Sequence, residues 1–328
     1  MASPLNKQIN YATRVDKITT KSILTRYLKA ILAVLVAFIV LIPVIWMAMT
    51  AFKSRADSVA APPKVFFQPS MEGFIGLLTQ RRQVTEAQGL NELRNDPNLK
   101  WYEKVTLNRG QQIVGRSEYV GYLKNSIVTA GVSTVLSVTF GLFAAYAFSR
   151  FKISGKGDIL FFILSTRMFP PVVVTIPIFL LYRQLGLYDT SIGLIILYTV
   201  FNLSFSVWLL QGFIDEIPKE YEEAALVDGY SRIQAFFKIV LPQTITGIAA
   251  TTVFCLIFAW NEYAFAVMLT AQKARTAPPS IPSVLGTGGI EWAQIAAGAL
   301  GFLIPVAIVT FALRNYLLRG VTFGAVRR

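Results

Sequence analysis

Histidine is absent from this chain of 328 residues, and there is a single cysteine, Cys255. Without an imidazole, the usual general acid–base group near neutral pH and the commonest nitrogen ligand for transition metals are both missing. One thiol excludes an internal disulfide, and Cys255 lies in a hydrophobic run, where a free cysteine behaves as a small packing residue. Charge is scarce as well: 15% of residues are Asp, Glu, Lys or Arg, against about a quarter in soluble domains. A phosphate-binding loop of the form G-x-x-x-x-G-K-S/T is also missing. The nearest candidate, 154–157, has neither the spacing nor a preceding soluble strand. The chain thus carries no recognisable nucleotide-binding signature of its own, and this polypeptide alone is not expected to be an enzyme.

What fills the chain instead is apolar. Hydrophobic residues make up 54% and mean hydropathy is +0.53, the composition of an integral membrane protein. The net charge of +13 comes from basic residues that flank the hydrophobic runs. They form no separate basic domain, so the charge reads as membrane topology and not as a nucleic-acid surface. Six stretches reach the roughly 20 residues that a transmembrane helix needs: 28–50, 122–148, 159–182, 191–213, 244–270 and 294–317. The first has too long an apolar run, and too long a polar segment before it, for a secretory leader, and is expected to be an uncleaved helix.

Orientation follows from the short loops. Lys7, Arg14, Lys17, Lys21, Arg26 and Lys29 precede the first span, Arg150, Lys152 and Lys156 follow the second, and Arg314, Arg319, Arg327 and Arg328 follow the sixth. All fall on one side if both termini are cytoplasmic. The segment 51–121 then lies outside. Ten Lys/Arg and seven acids fall within 52–121, a stretch too long to count strictly against that rule. Within it, 71–80 and 85–94 read as short amphipathic helices, with Pro97 and Gly110 as punctuation. The expected fold is thus an all-α integral membrane protein. It comprises a cytoplasmic segment 1–27, a first helix 28–50, the outer loop 51–121, a core 122–317 carrying five helices, and a cytoplasmic tail 318–328.

The one long polar segment of the C-terminal half, 218–242, reads as a helix–turn–helix hairpin on the cytoplasmic side. Pro218 suits a first helical turn, and Glu220, Glu222 and Glu223 put negative charge where the helix dipole is positive. Gly229 is placed to end the first helix in the left-handed conformation. Ser231 with Gln234 matches a capping box for the second helix, Phe236, Phe237 and Ile239 give it an apolar face, and Pro242 marks another break.

Glu223-Ala224-Ala225, three residues, Gly229, nine residues, then Ile239-Val240-Leu241-Pro242 resembles the EAA loop of ABC importer permeases. Trp260-Asn261-Glu262-Tyr263, the tail from Tyr316 to Val326, the Asn125-Ser126 pair and Phe169-Pro170-Pro171 are similar to the carbohydrate-uptake branch, the inner permeases of the maltose-transporter type. The likeness covers nearly the whole chain except about 81–117, where this sequence is longer. It implies a second, homologous permease, two cytoplasmic ATPase subunits holding ATP and Mg, an extracytoplasmic solute-binding protein, and a bacterial inner membrane. It also implies that Glu223, Ala224, Ala225, Asp228 and Gly229 couple the chain to the ATPases, that the tail reaches them in some members, and that no cofactor is bound by this chain.

Polar and ionisable groups inside spans face protein or a water-filled cavity. Arg167, Asn202, Asn261 and Glu262, with the aromatic Trp260 and Tyr263, are therefore candidates for the solute path. Ser204 and Ser206 read better as contacts between helices. By rise along their helices, Arg167 and Glu262 are at different depths and are not expected to form a salt bridge. Two alternatives stay open on the residues alone: a permease of the same superfamily for amino acids, peptides or ions, and, with less support, an ion-coupled secondary transporter. The latter would need midplane carboxylates and repeated halves.

Overall fold

The computed structural model describes residues 20–85, 87–168, 170–281, 285–286 and 289–325. Lys7, Arg14, Lys17, Phe169, Arg327 and Arg328 lie outside them. In chain order the elements are α1 (Thr20–Ala51), α2 (Arg55–Ser58), α3 (Glu72–Leu78), β1 (Thr79–Gln83), α4 (Ala87–Arg94), α5 (Trp101–Asn108), β2 (Gln111–Arg116), α6 (Tyr119–Arg150), α7 (Lys156–Ser165), α8 (Pro171–Gln184) and α9 (Ser191–Asp215). There follow α10 (Glu220–Val227), α11 (Arg232–Ala235), α12 (Leu241–Gln243), α13 (Ile245–Trp260), α14 (Ala264–Leu269), α15 (Ala277–Ser280), β3 (Leu285–Gly286), β4 (Gly289–Ile290) and α16 (Trp292–Ala325).

Contacts divide the chain into two units, Met1–Met47 and Ala48–Arg328. The described part of the first is α1 up to Met47, whose side chains, Leu32, Val36 and Phe38 among them, are exposed. A helix that is apolar all round belongs in a membrane or a large core. Among the described residues, four helices are long and apolar enough to cross a membrane: Thr25–Ala51, Tyr119–Arg150, Ser191–Asp215 and Trp292–Tyr316. Two bent pairs bring the number to six if each is one span.

The first pair breaks within 159–182 at the prolines, as their missing N–H groups lead one to expect, and the second precedes a further break that interrupts the continuous helix expected at 244–270. In the first, α7 gives way to a tight turn at Thr166–Met168, and α8 restarts at Pro171, with a bend of 91°. Pro170 and Pro171 have no N–H to give a continuing helix, and Pro171 also biases Pro170 away from helical backbone. In the second, α11 to α12 meets α13 at 73°. α13 then ends at Trp260, with Asn261 as its C-cap, and the chain re-enters helix at Ala264. The helix of the last span, α16, begins at Trp292 and continues past the expected span end at 317, through Ala325.

In the second unit, α6 packs along α9 through a stripe of small residues. Ser126, Ala130, Ser133, Ser137, Gly141 and Ala145 recur at three- and four-residue spacing and are buried. A Cβ on Gly141 would lie 2.4 Å from the Ser206 Cβ, so only glycine permits this approach. Helices in lipid gain little from burying oil-like side chains, and close backbone approach supplies the packing in its place. α13 lies against both, with Gly247 set against the ring of Phe213.

The outer segment is more structured than two short helices. The expected 71–80 and 85–94 appear as α3 and α4, but β1 and β2 also pair antiparallel, and α5 fills the connection with α4. An ionic cluster around a buried glutamate holds α2, β1 and the turn between α5 and β2 to the start of α16. Glu291, 4% exposed, accepts from Arg109 at 2.9 Å and Arg55 at 3.1 Å, while Arg81 donates to Gln294 at 2.6 Å. Gly73 lets α3 reach the backbone of Ala293, where a Cβ would be 2.4 Å from the carbonyl oxygen.

A second lock lies on the connections between spans. The Asp189 carboxylate accepts the backbone N–H groups of Ala271, Gln272, Lys273 and Ala274 at 3.0, 3.3, 3.2 and 3.1 Å. From the other side Asn125 donates to the carbonyls of Lys273 and Arg275, and Ser126 Oγ accepts the Ala277 N–H. Burial on its own would raise the Asp189 pKa, but the four backbone donors outweigh it and hold the carboxyl below its ordinary value. A depressed carboxyl contributes stability above its unfolded pKa, about 3.9. That contribution is lost as pH falls through the lower folded value. Amides 271–274 should therefore keep their exchange protection from pH 7 down to about 4 and lose it below. Asp189→Asn should expose them already at pH 7; unchanged protection factors in that variant would remove the lock from the account.

Candidate functional site

The hairpin 218–242 is built from strong local signals. Lys219 caps α10, so Pro218 lies just ahead of the first turn and not within it. α10 ends at Asp228, and Gly229 takes φ +88°. The Tyr230 N–H then reaches the Ala225 carbonyl at 3.0 Å, and the Gly229 N–H reaches that of Leu226 at 3.1 Å. This pair of bonds closes a helix on a left-handed residue. Ser231 and Gln234 form the expected reciprocal box, at 2.8 and 3.3 Å. The following turn, Phe236–Val240, is a wider π-helix. Pro242 cannot supply an N–H to Lys238, and a wider turn accommodates its ring.

One face of the hairpin is buried. Phe236 packs on Tyr146 and Phe143, with ring centroids at 4.7 and 5.5 Å, within a core that includes Leu210, Ile214 and Val240. The opposite face is open and partly apolar: Val227 is 88% and Ile233 71% exposed. Of the residues singled out for coupling, Glu223, Ala224, Asp228 and Gly229 are exposed, and Ala225 is buried on the inner face.

Glu222 is the residue that sequence reasoning passed over. It is buried, and its carboxylate accepts from Arg150 Nε and, at 2.9 Å, from the Tyr146 hydroxyl. Arg150 also donates to the Ile217 carbonyl and to Ser149 Oγ, both at 3.0 Å, and Ser149 donates to Asp215. One network therefore fastens α10 to the ends of α6 and α9. The available signal was spacing: Glu222, Ala225 and Leu226 share one face of a helix.

Farther along α9, facing α13, lies a cavity of about 210 Å³ lined by Arg167, Tyr198, Phe201, Asn202, Phe258, Ala259, Glu262 and Phe265. Three of the six candidates for the solute path, Arg167, Asn202 and Glu262, meet here. Glu262 accepts the N–H groups of Phe265 at 2.9 Å and Ala266 at 3.1 Å, and the Tyr198 hydroxyl at 2.9 Å. It therefore caps α14, which accounts for the break after α13. Asn202 donates to the Cys255 carbonyl at 3.1 Å. Arg167 lies over the ring of Phe258 at 4.3 Å and of Phe205 at 5.4 Å. It forms no ion pair with Glu262 among the described residues, although the two line one cavity and are not separated in depth as their positions along the spans suggested.

The other three candidates are elsewhere. Trp260 is buried, stacks on Phe302 at 4.7 Å and donates to the Phe302 carbonyl at 3.1 Å. Asn261 is exposed and bonds back to the Ile257 carbonyl, and Tyr263 is 49% exposed. Ser204 meets Thr166 and Ser206 meets Cys255, the interhelical contacts expected of them.

Residues 137–323 match the family model described as binding-protein-dependent transport system inner membrane component. The chain is 30% identical over 309 residues to a trehalose/maltose transport system permease protein of Thermococcus litoralis, covering 94% of this chain and 99% of that one. It is 35% identical over 226 residues to a trehalose transport system permease protein of Mycobacterium tuberculosis, covering 68% and 82%. The fold is similar to a chain in the crystal structure of a bacterial ABC transporter that imports the acidic polysaccharide alginate: TM-score 0.62, 22% identity, 91% of this chain and 98% of that one.

Proposed function

The chain belongs to the family of binding-protein-dependent transport system inner membrane components, and on that premise we propose that it is the membrane subunit of an ATP-driven importer for a sugar or polyol. It crosses the inner membrane six times, counting each bent pair as one span, with both termini in the cytoplasm. A second, homologous permease completes the pathway, two ATPase subunits bind ATP and Mg, and an extracytoplasmic solute-binding protein delivers the cargo. The sugar relatives support the solute class.

The observation that carries this reading is the hairpin. It is a closed helix–turn–helix with one face bolted to α6 and α9 through Arg150 and Glu222, and the other bare. An apolar crest of this kind, flanked by Glu223 and Asp228, is a surface on which a neighbouring protein can push. The small Ala224 and the glycine turn at 229 permit close approach, and Ala225 keeps the inner face thin. When the ATPases close, the hairpin moves with them, and the ionic network passes that motion to the ends of two spans. The spans respond by opening alternately to the two sides. Arg167, Asn202 and Glu262 border the path.

The test is ATP hydrolysis by the complex of this chain with its partner subunits in lipid nanodiscs. The solute-binding protein is added with a panel of sugars, polyols and amino acids. At least one sugar or polyol should stimulate hydrolysis several-fold. Stimulation by amino acids alone would contradict the solute class, and none at all would contradict import.

A further inference from the structure

We infer that the cavity between the turn after α7, α9, the end of α13 and the start of α14 takes a solute bearing an acidic group, and that Arg167 is the residue that holds it. The inference rests on the import reading above and goes on to the chemical class of the cargo.

Arg167 is half-buried, and its Nη1 is buried with no hydrogen-bond partner. The rings of Phe258 and Phe205 hold its guanidinium by their faces but accept no hydrogen bond. The one carboxylate lining the cavity, Glu262, is committed to two backbone N–H groups and the Tyr198 hydroxyl. It completes the start of α14, and among the described residues no ion pair reaches the arginine. Asn202 commits one of its two amide N–H groups to the Cys255 carbonyl.

The balance of effects is unfavourable for an empty arginine. Arg167 is only half-buried, so part of its charge stays near water, but its buried Nη1 has given up hydration without gaining an acceptor. The cation–π contacts hold the charge and supply no acceptor. A neutral hydroxyl would satisfy the open donor and leave the charge uncompensated. A carboxylate, sulfonate or phosphate would do both, and the planar fork of arginine matches such groups in two-point geometry. Phe201 and Phe265, which also line the cavity, supply apolar surface for the body of a sugar ring. At about 210 Å³ the space is smaller than the roughly 300–1,000 Å³ of sites that enclose a whole drug-sized ligand. It therefore holds one sugar unit.

The experiment is uptake by the full complex in proteoliposomes with two probes, digalacturonate and maltose. Binding of each probe to the isolated solute-binding protein is measured alongside, so that its selectivity is separated from that of the membrane path. Relative to that binding, wild type should move digalacturonate in preference to maltose. Arg167→Gln should lower the acidic-to-neutral ratio by about tenfold, the loss of about one charge-assisted contact. Arg167→Lys, which keeps the charge and loses the fork, should fall between. An unchanged ratio in Arg167→Gln overturns the inference and leaves the importer intact. So does an equal loss of both probes with poor assembly, the sign of an arginine that pairs with the partner permease. If neither probe nor any other sugar is moved with ATP, the import reading falls and takes this inference with it.

Discussion

Gly229→Val should leave the protein inserted in the membrane and ATP hydrolysis running in the complex, while solute uptake falls by about tenfold or more. The backbone at 229 sits at φ +88°, in the left-handed region. A β-branched residue there is a steric outlier costing on the order of 1–3 kcal/mol. No neighbouring atom stands within 4 Å of the position a Cβ would take, so the strain is in the backbone and not in a collision. Relief comes by reopening the turn, which breaks the bonds from Tyr230 and Gly229 to the last turn of α10. The two helices of the hairpin then lose their fixed angle. Gly229→Asn is the control, since asparagine tolerates the left-handed region. It should keep most of the uptake. Paired assays of hydrolysis and uptake on one preparation check both variants, and wild-type uptake by Gly229→Val at normal expression would sink the coupling role.

The second large effect is expected at Glu222. Glu222→Ala should destabilise the protein by about 3–5 kcal/mol, the cost of leaving one member of a buried pair alone. The side chains of Arg150 and Glu222 are 5% and 9% exposed, so water cannot replace the lost carboxylate without opening the site. Tyr146 loses its acceptor at the same time. The double variant Arg150→Met with Glu222→Leu should recover much of that loss, because well-packed apolar groups often replace a buried pair at little cost. It should not recover coupling if the network transmits motion. Thermal unfolding in detergent separates the single from the double variant. Equal melting temperatures for Glu222→Ala and wild type would show that the pair contributes nothing.

The hairpin was the most legible part of the sequence because each of its signals is local. A glycine at a helix end and a serine three residues before a glutamine specify their own hydrogen bonds. Glu222 was not legible, since three acids in one turn look alike and only the tertiary partner Arg150 separates them. The span break at Trp260 was hidden for the same reason: no proline marks it, and it depends on a carboxylate turning back to cap the next helix. By contrast, the break at Pro170 and Pro171 was written in the residues themselves. β1, with the sequence Thr-Gln-Arg-Arg-Gln, has no alternating apolar pattern to announce a strand, and its pairing with β2 comes from the fold around it. Of the path candidates, polarity within a span brought Arg167, Asn202 and Glu262 to one cavity. It did not bring Trp260, Asn261 or Tyr263, because composition near a break does not say which way a side chain turns.

The central claim is that this chain borrows its energy through the hairpin and has no ion-driven cycle of its own. It is tested most directly by solute uptake into proteoliposomes carrying the full complex and loaded solute-binding protein, with ATP either present or withheld and the ion gradients either set or collapsed by ionophores. Uptake that follows ATP, and is indifferent to the gradients, is the predicted result. Uptake that proceeds on an ion gradient without ATP would contradict the account.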